Sequence, residues 1–193
     1  MKRLLFIIAL VLFYNNTNAQ IKKGYHGFVD AGYAQELTGT LGISWIEVNT
    51  VHGYQFNPYI FVGGGLGIHY VPEFKEGDIS GKPYWKRDKS QQIPIFANVR
   101  WTILNKKITP FVDAKLGFDA TKDTGLYETI GVGCRFGLKN NKAINLKLSY
   151  EGRTLEIENF NMYYNKYSYD SYYYYTSSDE HQNNISLTVG YEF

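Results

Sequence analysis

The chain has 193 residues, a single cysteine (Cys134), 17% aromatic residues and a formal charge of +2, and a chain of this length suits one domain. One cysteine cannot form an intramolecular disulfide, which excludes a small disulfide-stapled fold. Lys2 and Arg3 carry the whole excess of charge, since the rest of the chain has 18 basic and 18 acidic side chains; it lacks the basic surplus a nucleic-acid binder needs to neutralise phosphates.

Lys2 and Arg3 precede the apolar run Leu4 to Phe13, and a polar stretch then leads to Ala19. A basic start, an apolar run of about ten residues and a small residue at the cut predict a secretory signal peptide over 1–19; the run is shorter than the roughly 20 residues of a membrane-spanning helix. Cleavage would leave Gln20 first, with no cysteine after the cut to carry a lipid. The remainder, 20–193, reads as one domain.

Beyond the leader, apolar residues recur at every second position, the period of a half-buried strand. Strands are predicted at 25–34, 41–55 and 59–71. In 92–103 the residues Ile93, Ile95, Ala97, Val99, Trp101 and Ile103 share one side, opposite Gln92, Phe96, Asn98, Arg100 and Thr102. In 108–119 the apolar side is Ile108, Val112, Ala114, Leu116 and Phe118, opposite Asp113, Lys115 and Asp119. The segment 126–138 sets Leu126, Ile130, Val132, Cys134, Phe136 and Leu138 against Tyr127, Thr129 and Arg135. In 143–153, Ile144, Leu146, Leu148 and Tyr150 oppose Asn145, Lys147, Ser149, Glu151 and Arg153, and 184–193 ends the chain with Ile185, Leu187, Val189, Tyr191 and Phe193 on one face. The fold class predicted is all-β, an eight-stranded antiparallel up-and-down barrel.

Alternation permits a soluble barrel with its apolar face inside or a membrane barrel with that face on lipid. Connections decide between them, because 56–58, 105–107 and 139–142 are tight turns whereas 72–90 and 156–183 are long. That alternation matches periplasmic turns and external loops. Charge decides too: Asp30, Arg100, Asp113, Lys115, Asp119, Arg135, Lys147, Glu151 and Arg153 fall on the polar faces, and a dry soluble interior would not hold them. Eight strands enclose a space that side chains fill, so the expectation is a plugged, charge-paired lumen. Trp101, Tyr191 and Phe193 are placed in one aromatic belt, Tyr33 and Tyr70 in the other.

Two segments strain the pattern. Leu41, Ile43 and Trp45 share a face that continues into Glu47 and Asn49, which predicts a bulge near 46–48 or an early exit from the bilayer. Gly63, Gly65 and Gly67 on the inward side of one strand predict room for bulky neighbours or sharp curvature.

With the leader ending "NAQ", the segment "VNTVHGYQFNPYIFVGGGLG" (48–67) and the terminal "LTVGYEF", the chain resembles the small eight-stranded outer-membrane β-barrel proteins of Bacteroidetes, of the OmpA/OmpX-like, porin-family type. The resemblance implies a multi-pass outer-membrane location, contact with outer-membrane lipid and lipopolysaccharide, and insertion by the barrel-assembly machinery. It implies no particular activity.

Lipid A deacylases of this size carry a His-x-Ser pair, but His26, His52, His69 and His181 are followed two positions on by Phe28, Tyr54, Val71 and Asn183. The helix that precedes strand one in the acyltransferase type has no room in 20–23. No enzyme, cofactor or metal site is therefore expected; the histidines are scattered, His52 and His69 read as lumen or rim residues, and Cys134 as a small lipid-facing side chain. The glycines of "GVGCRFG" lack the following helix of a phosphate-binding loop.

The stretch 162–175 holds eight tyrosines in fourteen residues. Tyrosine gives a large, stiff, amphipathic surface at small entropic cost, the mixture recognition loops use. Tyr172, Tyr173, Tyr174 and Tyr175, joined by Tyr84 and Trp85 from the loop 72–90, form the candidate binding surface for a glycan or protein ligand. The competing readings are a structural envelope barrel whose tyrosines extend the hairpin, and then a narrow pore; Trp85 also suits an interfacial anchor.

Overall fold

The computed structural model describes residues 21–37, 43–77, 85–121, 125–164 and 171–193. The predicted leader, Leu41 and Tyr84 lie outside the described residues. The strands are β1 (Gly24–Glu36), β2 (Ser44–Gln55), β3 (Ile60–Val71), β4 (Phe74–Glu76), β5 (Trp85–Arg87), β6 (Ser90–Gln92), β7 (Pro94–Thr102), β8 (Ile108–Asp119), β9 (Leu126–Gly137), β10 (Ala143–Tyr164) and β11 (Ser171–Glu192). Eight of them form a closed antiparallel barrel in the order β11-β1-β2-β3-β7-β8-β9-β10, with β10 pairing back onto β11. Closure leaves no strand edge around the wall.

The period of two decides what each strand turns inward. Val99, Ile130 and Leu187 point outward and are 48%, 59% and 54% exposed, whereas Asn98, Thr129 and Thr188 beside them are buried. The tight connections at 56–59, 103–107 and 138–142 lie at one end of the barrel, the turn end. At the 138–142 connection Asn140 and Asn141 hold φ of 59° and 65°, the left-handed pair of a two-residue hairpin turn.

The β1–β2 register runs without a break from Gly24↔Gln55 to Gln35↔Ser44, so the bulge expected at 46–48 is absent. The strand is regular and its apolar residues simply change sides: Ile46 and Val48 face outward, while Ile43 and Trp45 face inward and are 3% and 1% exposed. There they join Ala34, Val71 and Ile157 in an apolar cluster at the end opposite the turns. The glycines of β3 make room, as expected. A Cβ on Gly63 would lie 2.7 Å from the Phe61 ring, and one on Gly65 2.7 Å from the Phe96 ring.

The segment 156–183, read from sequence as an excursion, is largely strand. β10 and β11 pair continuously from Ala143↔Glu192 to Tyr164↔Ser171, 22 residues each, whereas β1 accompanies β11 only as far as Glu36↔Asn184. The rest of the hairpin is an arm rising from the barrel at what we call the arm end. The segment 72–90 is also partly ordered as strand: β4 pairs β5, β5 docks on the arm through Glu158↔Lys86 and Asn159↔Trp85, and β6 prolongs the β3 ladder at His69↔Gln92.

Candidate functional site

Two features stand out from the wall: the charged interior and the arm. All nine charged residues assigned to the inward face are buried, from Glu151 at 0% to Lys147 at 5% exposure. Eight of them, all but Asp119, gather in three tiers along the axis.

Nearest the turn end, Glu192 accepts two hydrogen bonds from Arg135, Nε to Oε2 at 2.8 Å and Nη2 to Oε1 at 3.0 Å, the bidentate geometry that suits a guanidinium. His26 Nδ1 lies 3.1 Å from Glu192 Oε1 and its Nε2 lies 2.9 Å from the Lys22 carbonyl oxygen. In the middle tier Asp113 takes Arg100 Nε at 2.9 Å and Lys147 Nζ at 3.1 Å, with Asn98 Nδ2 at 3.1 Å. Asp30 lies 3.9 Å from both Lys115 and Lys147. The Arg100 guanidinium is sandwiched 4.2 Å from the Phe28 ring and 4.3 Å from the Phe111 ring, and a desolvated cation gains from such contacts.

At the arm end, Arg153 Nη2 donates to Glu151 Oε1 at 2.9 Å and contacts His69 Nδ1, while its Nη1 contacts Gln92 Oε1. Its guanidinium lies 4.7 Å from the Trp45 ring. His69 Nε2 is 2.9 Å from Asn49 Oδ1 and 3.6 Å from Glu47 Oε2. Asp119 stands apart from these tiers and acts as a turn cap, accepting from the backbone N–H of Ile93 and of Thr121 and from the Thr121 hydroxyl.

Sequence spacing did not foresee that Glu47, His69 and Glu151 would meet, each offering a ligand atom within 4.8 Å of the others. The surrounding chemistry does not suit a metal. Arg153 has only donors to offer, so its contact with His69 Nδ1 assigns the proton of the neutral ring to Nε2. No imidazole lone pair then faces the carboxylates. Glu47 and Glu151, with Asp30, Asp113 and Glu192, match five cations: Arg100, Lys115, Arg135, Lys147 and Arg153.

The remaining histidine expectation divides. His69 is an interior residue, but His52 faces outward near the turn end, where Tyr25 Oη approaches its Nδ1 at 2.5 Å and the Phe193 ring lies 6.2 Å away. Strand parity is the reason, since even positions of β2 point out. Alternation places Tyr127 on the inward face, and the interior aromatics Phe28, Phe61 and Phe111 follow the same parity.

Those of the candidate recognition residues that are described lie on the arm and on β5, the strand docked on it. Tyr172 and Tyr173 are register partners of Tyr163 and Met162; their side chains and all of Tyr84 lie outside the described residues. Tyr174 is 52% exposed. Tyr175 pairs with Phe160, ring centroids 5.3 Å apart, beneath the Lys86 ammonium at 4.2 Å, and Lys86 Nζ reaches Glu158 at 2.6 Å. Trp85 packs on the Ala34–Trp45 cluster together with Phe74. It thereby covers part of the apolar cluster at the arm end of the barrel.

No protein-family profile matches the chain, and no curated protein matches it. Among solved structures, outer membrane protein AlkL, determined by solid-state NMR in DMPC lipid bilayers, aligns over 93% of this chain and 94% of its own with 13% identity and a TM-score of 0.51. A structure described as de novo design of transmembrane β-barrels aligns over 90% of this chain and 99% of its own, at 15% identity and a TM-score of 0.43. At such identity the AlkL likeness shows a shared barrel fold and nothing finer.

Proposed function

We propose that the protein is an integral outer-membrane barrel, with turns toward the periplasm, a lumen filled by its own charge pairs, and a tyrosine-rich arm that recognises a glycan or a protein outside the cell. The observation that carries this reading is the arm. A membrane strand needs about 9–11 residues, so strands of 22 residues leave roughly half their length beyond the bilayer. Support for the membrane part comes from the apolar outer wall and from the tight turns at 56–59, 103–107 and 138–142, which lie together at one end. The cleaved leader over 1–19 and kinship with the Bacteroidetes small-barrel family belong to the same proposal, as does the absence of catalysis.

Deletion of 162–175 tests it. Cells bearing the shortened protein should keep a folded barrel, seen as a heat-dependent shift in gel migration, and lose adhesion to mucin-coated and lipopolysaccharide-coated surfaces. Unchanged adhesion with an intact barrel overturns recognition and leaves the structural envelope reading, which the Phe160–Tyr175 pair favours for at least one tyrosine. A steady single-channel conductance would overturn the filled lumen.

A further inference from the structure

The short connections raise a question the barrel does not need to pose. Lys22, Lys23, Lys106, Lys107, Lys139 and Lys142 are all at the turn end, and the segments that hold them, 21–23, 56–59, 103–107 and 138–142, contain no Asp or Glu. Lys106 is half-buried and the other five are exposed. The arm end is different: there Lys75, Lys86 and Lys89 are interleaved with Glu73, Asp88, Glu156, Glu158 and Asp179.

The lysines occupy three places around the ring, before β1, between β7 and β8, and between β9 and β10. The first two are tied together, because the Ile21 N–H donates to Asn105 Oδ1 at 2.9 Å and Ile21 is buried. In the third, Lys142 N–H reaches the Lys139 carbonyl oxygen at 3.4 Å across Asn140 and Asn141. Lys139 and Lys142 are thus the corners of one turn, with Cα atoms within about 7 Å. Like charges held so close repel, and a bound anion relieves the repulsion.

The level of these side chains says which anion. Beside the lysines stand outward-facing aromatics: Tyr25 two residues from Lys23, Trp101 five residues from Lys106, and Tyr191, the register partner of Ile144 next to Lys142 and Ala143, with exposures of 62%, 59% and 40%. Tyrosine and tryptophan of this kind mark the headgroup region of a bilayer, and a lysine stem reaches from there along the same surface. Tight turns give the ammonium groups no length with which to leave it.

We infer that the turn end is an anionic-lipid docking ring, in which the lysines take the phosphate groups of anionic phospholipids in the leaflet on that side. The inference rests on the membrane reading above. Charge complementarity selects the occupant: a ring of one sign beside a headgroup layer draws lipids of the other.

The test uses the full chain in phosphatidylcholine vesicles doped with spin-labelled phosphatidylglycerol or, separately, spin-labelled phosphatidylcholine. Electron paramagnetic resonance reads the motionally restricted fraction of each label. At low salt, phosphatidylglycerol should be selected about threefold or more over phosphatidylcholine. The preference should fall toward one in 1 M salt, where the screening length is about 3 Å, and toward one in the combined variant Lys22→Gln, Lys23→Gln, Lys107→Gln, Lys139→Gln and Lys142→Gln. Equal selection of both labels by the unaltered protein overturns the ring, and so does a variant that keeps the full preference. A chain that sediments apart from the vesicles overturns the membrane reading itself, a result visible before any label is read.

Discussion

Arg100 and Asp113 face each other in the β7–β8 register and meet at 2.9 Å, with side chains 5% and 0% exposed. Asp113 also holds Lys147, so it neutralises two buried cations at once. Removing one member of a buried pair leaves an uncompensated charge, at a cost of about 3–5 kcal/mol. Arg100→Ala should lower the unfolding free energy of the detergent-solubilised barrel in urea by that order, and with it the midpoint, and Asp113→Ala should lower both further because it strands two partners. Equal midpoints for Arg100→Ala and the unaltered chain would sink the claim that the interior is held by pairing.

Adjacent glycines on β3 should respond in opposite ways. A Cβ on Gly65 would sit 2.4 Å from the Thr50 carbonyl oxygen and 2.7 Å from the Phe96 ring, whereas on Gly64 its nearest neighbour is at 3.7 Å. Gly65→Ala should destabilise by about 1–3 kcal/mol through overpacking, and Gly64→Ala should stay within about 0.5 kcal/mol of the unaltered barrel. The same unfolding curves measure both.

Tryptophan fluorescence can separate inside from outside. Trp101 is 59% exposed on the outer wall, and Trp45 is 1% exposed within it. In vesicles of lipids brominated on the acyl chains, a variant keeping Trp101 alone should be quenched strongly and one keeping Trp45 alone hardly at all. Comparable quenching would return Trp45 to the lipid side.

At the docked β5 strand the hydrogen bond from Lys86 to Glu158 raises the Lys86 ammonium above its ordinary value, with Tyr175 acting in the same direction. A cation whose folded value is raised adds stability that is complete below its unfolded value and is lost as pH rises through the folded one. Hydrogen exchange of the Trp85 and Lys86 amides should therefore show constant docking, after correction for the intrinsic rate, from neutral pH up to the lysine range. Lys86→Gln should loosen that contact throughout this range. Equal protection in the variant would show that Trp85 packing alone holds the strand.

The barrel was legible because pleating converts parity into side: Asn98, Arg100 and Thr102 went in while Val99 and Trp101 went out, as their alternation required. Trp45 was not, because the rule that apolar means outward fails where a barrel closes its own mouth. Glu47 and Asn49 on the same face were the available signal, and an unbroken strand accommodates them without a bulge. The arm was legible as tyrosines that extend the hairpin, but its length was not. Apart from Ile157 and Phe160, which are buried, the described side chains of 156–181 are exposed or half-buried, so the segment lacks the contrast on which a period of two depends. Alternation picks out eight of the charges in the tiers but not Glu47 or Glu192, and it does not give the partners, since Arg135 meets Glu192 and His69 meets Arg153 across the lumen, between strands that are not neighbours in the sheet.

The pairing of His26 with Glu192 spans 166 residues, and the seam between β1 and β11 joins the first strand to the last. Contacts of such separation form slowly, and until they form both terminal strands present open edges. Synthesis cannot proceed by adding finished parts to a growing ring. A chain cut short within β11 would lack the Glu192 carboxylate that His26 and Arg135 share, and would stay open for proteases to clear. The circular architecture thereby acts as a length check on every copy, passed only when the final strand arrives.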